Sequence, residues 1–319
     1  MAADATALYV AGQTCGDLPT QSESAGCDSF VRKYTLDGTE VWTHQFGENG
    51  GASGVAVYGN SLYVSGTVSD ALPGQTHLGN NDAYLRKYDV DGNEVWTRQF
   101  GTPRWELGRG VGVDASGVYV ATAWMFRDEG SKVWKFDHEG RDLWVRSLGT
   151  DVLPLDIAAG PSGAHVLGFS GLDSAGSARN LNAFLRKYAV DGTEVWTVVL
   201  DQGTDDGLWG ISTGPSGLYV SGATDGVFPG QTGAGSYDAF VAKLGPVGQA
   251  EVCPASQGYW KTHVASWPST SLVLGSETYS TSELVELLWT PPRGDASLIL
   301  SHQLAAAKLN IANGADVTP

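Results

Sequence analysis

The sequence predicts an all-β fold, a β-propeller of about five four-stranded blades, followed by a small C-terminal α-helical module. Three observations carry that reading. They are a period of about 50 residues, four extended segments in each full period, and an acidic-residue–glycine pair between the third segment and the fourth. The period is set by the aromatic of a recurring strand, Tyr9, Tyr63, Tyr119 and Tyr219 with His165 in the fourth slot, at steps of 54, 56, 46 and 54 residues. Repeats of that length are stacked supersecondary units.

The first extended segment lies at residues 54–57, 110–113, 155–158 and 210–213. The second begins at Leu8, Leu62, Val118, Ala164 and Leu218, and the third occupies 30–34, 84–88, 133–136, 184–188 and 240–244. The fourth spans 40–46, 94–100, 142–148 and 194–200. Asp37-Gly38, Asp91-Gly92, Glu139-Gly140 and Asp191-Gly192 join third to fourth, a signal for a tight antiparallel hairpin with a residue at positive φ. Four-stranded antiparallel units repeated in this way read as propeller blades. Apolar residues fall on both faces, Val41 beside Trp42 and Tyr84 beside Leu85, as a sheet buried between two neighbours requires.

If every hairpin pairs as Tyr34 with Glu40, then Arg32 falls opposite Trp42, Arg86 opposite Trp96, Arg186 opposite Trp196, and Trp134 opposite Trp144. Arginine stacked on tryptophan would then fill the slot between blades, a packing role rather than a ligand-binding one. Only MAADAT precedes Leu8, so blade one is expected to lack its inner strand, and GPVGQAEV replaces the outer strand of blade five. Either residues 250–253 help to close a five-bladed ring, or the chain is an incomplete part of a larger one. The phrase DVDGNE at residues 89–94 resembles the start of a calcium loop, but the closing glutamate is absent and turn chemistry is the better reading.

The chain's 319 residues allow a large core, and 43 glycines with 11 tryptophans suit short strands and tight turns. A net charge of −16, with no basic stripe, argues against nucleic acid or an anionic membrane as a partner. No apolar run approaches the roughly 20 residues needed to span a bilayer. The opening MAADATALYV lacks the regions of a signal peptide, so a leader is expected to lie outside this chain. Cys15 and Cys27 share a predicted loop, where they are either a disulfide contributing about 3 kcal/mol or a pair of free thiols. Cys253 is left over, and three scattered cysteines do not make a zinc site.

Strand direction alternates, so the connections from second to third strand and from one blade to the next gather on one face. Those loops are long and variable, and a rigid scaffold carries recognition on such loops. The ligand-binding candidates there are Arg104, Trp105, Glu106 and Arg109, then Trp124 in the divergent third blade with Met125, Phe126, Arg127 and Asp128, then Asp205, Asp206 and Trp209. Aromatics beside carboxylates and arginines can grip sugar rings or peptide side chains. The plainer alternative is that Trp105 and Trp209 plug gaps between blades. A glycosidase would need two facing carboxylates, for which Glu106 with Asp205 or Asp206 is the tempting combination. No nucleophile elbow, phosphate-binding glycine loop or zinc helix motif is present, and neither catalysis nor a cofactor is expected.

The motifs LYVSGT, LPGQT, DAYLRKYD, GNEVWTRQFG and GVGVDASGVYV, recurring in fixed order over roughly residues 7 to 245, resemble the bacterial SBBP β-propeller repeat family. The resemblance implies an extracellular or cell-surface propeller without assigned chemistry, so no catalytic residue carries over. From Cys253 the segments CPASQGYWKTHVASWP and HQLAAAKLN resemble a C-terminal module of secreted bacterial proteins. The expected division is therefore 1–249 for the propeller and 250–319 for the module. Two helices are expected in it. Ser280 and Glu283 form a capping box, Pro291 and Pro292 stop the first helix, Asp295 caps the second and Gly314 ends it. Leu300, Leu304, Ala307 and Ile311 make the apolar stripe, and His263 and His302 read as packing or capping residues rather than metal ligands. The function expected is a non-enzymatic scaffold that recognises a glycan or a surface protein, with a polysaccharide hydrolase or lyase as the alternative.

Overall fold

The computed structural model describes residues 1–21, 26–47, 49–124, 130–172, 178–214 except 201–206, 217–224 and 238–244, then 261, 264, 267, 269–274, 277–291, 301–302, 304–306 and 308–309. The chain divides into two compact units, one of residues 1–214 with 219–242, the other of 215–218 with 243–319.

The first sheet holds β1 (Ala2–Ala3), β2 (Ala7–Thr14), β3 (Asp28–Thr35) and β4 (Glu40–Phe46). The second holds β5 (Gly51–Tyr58), β6 (Ser61–Val68), β7 (Asp82–Asp89) and β8 (Glu94–Phe100). The third holds β9 (Glu106–Asp114), β10 (Gly117–Trp124), β11 (Ser131–Phe136) and β12 (Asp142–Gly149). The fourth holds β13 (Val152–Gly160), β14 (Gly163–Leu172), β15 (Ala178–Tyr188) and β16 (Glu194–Leu200). A fifth shows three strands among the described residues, β17 (Gly207–Gly214), β18 (Gly217–Thr224) and β19 (Asp238–Leu244). Neighbouring strands follow chain order in every sheet, and the innermost strands β1, β5, β9, β13 and β17 all line one axial cavity. This is a propeller.

Blade one has the inner strand that the short leader was expected to preclude. Ala2 pairs with Tyr9 and Ala3 with Leu8, because Asp4 closes the turn by accepting from the backbone of Thr6 at 2.7 Å and of Ala7 at 2.9 Å. The cores lie between blades. Leu62, Val64, Tyr84 and Tyr88 of blade two face Tyr9 and Val31 of blade one, whereas the alternate residues Tyr63, Ala83, Leu85 and Phe100 face Val111, Val118 and Val120 of blade three. A side-chain period of two sends successive residues to opposite neighbours. The outer strands depart from this pattern. Val41 was expected to be buried on the second face, yet it is 50% exposed, and the equivalent Val95, Leu143 and Val195 are 54%, 51% and 51% exposed, since at the rim the blades splay apart.

The register also differs from expectation. Tyr34 does pair with Glu40, but a bulge follows, so Lys33 rather than Arg32 stands opposite Trp42. The same bulge sets Lys87 against Trp96, Lys187 against Trp196 and Lys135 against Trp144. Three of these lysine–tryptophan pairs reach the next blade. Lys33 Nζ and Trp42 Nε1 donate to the Val90 carbonyl at 2.7 and 3.3 Å, Lys87 and Trp96 to His138 at 3.0 and 3.2 Å, and Lys135 and Trp144 to Val190 at 2.8 and 3.0 Å. The hairpin glycines Gly92, Gly140 and Gly192, at φ of 95°, 79° and 83°, lie directly against those indoles. In the turn read as a calcium-loop start, Asp89 Oδ1 accepts from the backbone of Asp91 and Asn93 at 3.0 and 2.9 Å, which is turn chemistry.

The arginines still pack between blades, with other partners. Arg86, 4% exposed, lies over the Phe46 ring of blade one at 4.0 Å, donates to Thr97 Oγ1 at 2.8 Å and pairs with Glu94 at 3.4 Å.

In the other unit, β20 (Ser271–Leu274) and β21 (Glu277–Ser280) form a hairpin that the sequence reading did not anticipate. Helix α1 (Thr281–Trp289) starts at the expected capping box and ends at Thr290. Its Leu284 and Leu288 pack with Leu272, Leu274, Ala305, Ala306 and Leu309. Of the expected apolar stripe, Leu304 packs against this cluster, while Leu300, Ala307 and Ile311 lie outside the residues described. His302 caps α1, its Nε2 lying 2.6 Å from the Leu287 carbonyl. Pro292, Asp295, Gly314, Cys253 and His263 lie outside the described residues.

Two stability predictions follow from these contacts. Arg86→Ala should cost about 2 kcal/mol, read as a lower denaturation midpoint, because it strips a stacked cation and leaves Thr97 and Glu94 without it; an unchanged midpoint would contradict the packing role. His165 is 7% exposed, and burial, aided by the nearby Lys187 charge, pushes its imidazole down to about 4. Below about pH 6.5 the unfolded chain takes up a proton that the folded chain refuses, so stability falls as pH drops toward 4, by about 3 kcal/mol at that limit. His165→Phe should flatten this part of the pH–stability curve.

Candidate functional site

Two of the loops expected on one face meet there. Loop 101–105 is laced to the loop between β6 and β7, with Asn80 N donating to Arg104 O at 2.9 Å, Glu106 N to Asn81 O at 2.9 Å, and Asn81 bridging to Trp105. The loops between second and third strands are pinned by a repeated glutamine. Gln45 accepts from Leu18 N at 3.0 Å and donates its own N–H to Gln21 at 3.1 Å; Gln99 does the same with Leu72 and Gln75 at 2.9 and 3.1 Å. The side-chain amides of both glutamines also reach buried aspartates, Asp28 at 2.9 Å and Asp82 at 2.7 Å. Thus the LPxQ motif is a loop anchor. In blade one a disulfide between Cys15 and Cys27 closes the same loop, resolving the choice the sequence left open.

The candidate residues separate into two places. Arg104 is exposed and Trp105 half-buried beside blade three. Glu106 is a strand residue opposite Trp124, not the loop residue expected. It is 1% exposed, with Oε2 accepting from Thr102 N and Oε1 lying 3.5 Å from Lys132 Nζ. A carboxylate so buried and engaged braces the blade. Arg109 likewise belongs to β9, at a bulge where Arg109 and Gly110 oppose Ala121 alone.

Trp209 belongs to β17 and is far from a plug. It is 59% exposed, meets Phe169 edge-on at 5.5 Å, and lines the axial cavity of about 400 Å³. Asp205, Asp206, Met125, Phe126, Arg127 and Asp128 lie outside the described residues.

The reading from sequence missed Asp156, on the same cavity wall. Its Oδ1 accepts from Ile157 N at 2.9 Å and its Oδ2 from Ile211 N of blade five at 3.1 Å. Burial raises its pKa above the usual carboxylate range, with those two N–H groups and the Met1 amino group acting in the opposite direction. The signal was a carboxylate inside a segment that is otherwise glycine and small apolar residues. A second cavity of about 530 Å³, between blades one and two, is lined by Arg86, Phe46, Asp70 and Glu94. Among the described residues no group of three metal-ligating side chains occurs, and no helix is long and apolar enough to cross a membrane.

No family model matches the chain. A 109-residue stretch, 31% of the chain, is 34% identical to part of the regulatory protein FlaEY of Caulobacter vibrioides, of which it spans 11%. Among solved structures, the chain is similar to a protein of unknown function from Bacteroides caccae at 13% identity and a TM-score of 0.40, over 60% of this chain and 61% of that one. It is also similar to the GH43 BlXynB protein from Bacillus licheniformis at 9% identity and a TM-score of 0.38, over 76% and 51%. Likeness at that level carries no argument about chemistry.

The two places should respond differently to truncation. Glu106→Ala removes the buried carboxylate that Thr102 N and Lys132 engage and should cost roughly 3 kcal/mol in urea denaturation, whereas Trp209→Ala, at an exposed position, should stay within about 0.5 kcal/mol of the parent chain.

Proposed function

We propose that the chain is an SBBP-type propeller that works outside the cell or at its surface as a non-enzymatic scaffold, recognising a glycan or a surface protein through its loop face. The observation that carries this reading is the Cys15–Cys27 disulfide, which locks a loop on that face. Disulfides persist in oxidising compartments. The glutamine anchors support it too, since they rigidify loops that would otherwise lose entropy on binding. Burial of Glu106 supports a non-enzymatic role, because a glycosidase acid must face its substrate.

The test is a glycan array and a panel of polysaccharides incubated with the purified chain, with released sugars measured alongside binding. Retention on a glycan or a surface protein without released product is the expected outcome. Turnover abolished by Asp206→Asn would overturn the reading in favour of a polysaccharide-acting hydrolase or lyase.

A further inference from the structure

The inner strands differ from one another at one position that repeat geometry leaves free. Gly54 pairs with Ser65, Gly110 follows the same bulge in blade three, and Gly210 lies against Ser221 as Gly54 lies against Ser65. At this position each blade abuts the next. A Cβ on Gly54 would sit 2.8 Å from Val111 N and 3.0 Å from Gly110 Cα, and one on Gly110 would sit 2.7 Å from Ile157 N. Blade four carries Asp156 here, opposite Leu167. Glycine would satisfy the repeat, so the carboxylate is an addition.

The neighbouring position also diverges. Ser53 and Leu155 are the bulge residues of blades two and four, and Trp209 takes that place in blade five, just before Gly210. Asp156 and Trp209 are joined through one short segment of β17, since the Asp156 carboxylate binds Ile211 N two residues beyond the indole. Both line the axial cavity, and Asp156 is the one charged side chain among its lining residues. The hydrogen-bond partners of Asp156 are neutral amides, so its charge is uncompensated by any side chain on that wall.

We propose that the axial cavity binds a small organic cation, an alkylammonium or guanidinium such as a lysine or arginine side chain presents, held between the Asp156 carboxylate and the Trp209 indole. A cavity of about 400 Å³ is of small-molecule size. Tryptophan is the strongest aromatic partner for an organic cation, and a carboxylate in a partly enclosed site adds charge-assisted hydrogen bonds. The net charge of −16 raises the local concentration of cations at any concave site. One carboxylate with aliphatic neighbours is a poor cage for a metal ion, which asks for several oxygen ligands. This inference stands apart from whatever the loop face recognises.

Calorimetric titration of the full chain with Nα-acetyl-lysine amide tests it, with Nα-acetyl-norleucine amide as the uncharged match. Saturable binding of the lysine amide in the low-millimolar range or tighter is expected, with the norleucine amide weaker by roughly tenfold or more. Trp209→Ala should weaken the lysine amide by about fivefold or more with the thermal midpoint kept, and Asp156→Asn by about tenfold where it folds. Equal affinity for the two amides, no saturation by about 50 mM, or unchanged affinity in folded Trp209→Ala would each overturn the proposal. None of these outcomes bears on glycan or protein capture by the loops.

Discussion

Successive blades are tied together by a lysine and a tryptophan that donate to one backbone carbonyl of the next blade. A carbonyl oxygen has two lone pairs and can accept both. The contact recurs at Val90, His138 and Val190, always in the hairpin between a blade's third and fourth strands. Hairpin glycines complete it. At Gly92 or Gly192 a side chain would be strained by the positive φ and would also press into the neighbouring indole. The Asp-Gly pairs are therefore doubly determined, by the turn within one blade and by the ring from the blade before.

Bulges decide which side chains take part. A single extra residue on the fourth strand, Val41, Val95 or Val195, shifts the ladder by one, and with a side-chain period of two that exchanges the faces. Lysine moves opposite tryptophan; arginine moves to the glutamate that opens the fourth strand, as Arg32 with Glu40 and Arg186 with Glu194. The inner strands use the same device near their entry, which frees Ser53, Leu155 and the equivalent Trp209 from the ladder and turns them toward the axis. One repeated motif thus gives a rigid frame while leaving one position per blade open to variation.

Glu106 illustrates how folding can place a carboxylate expected in a loop inside a strand. It begins β9 beside glycines, where a loop was expected, and folding buries it against Lys132. Asp156 illustrates the converse. Along the chain it is one more residue of an apolar segment, and the bulge at Leu155 aligns it with Gly54 and Gly110. In both cases a shift of one or a few residues in register matters little for naming a strand and completely for naming what its side chain faces.

The sequence alone determined the repeat, the number and order of strands in a blade, the glycine hairpins and the capping box at Ser280, because each of these is a local event whose residues are close along the chain. Tertiary structure decided the bulges, the brief inner strand at Ala2–Ala3, the β20–β21 hairpin, and the division of the candidate residues between a buried brace and an open axial wall. Those features arise where backbone groups of different blades compete for the same space and the same hydrogen bonds, and that competition exists only once the blades stand around a common axis.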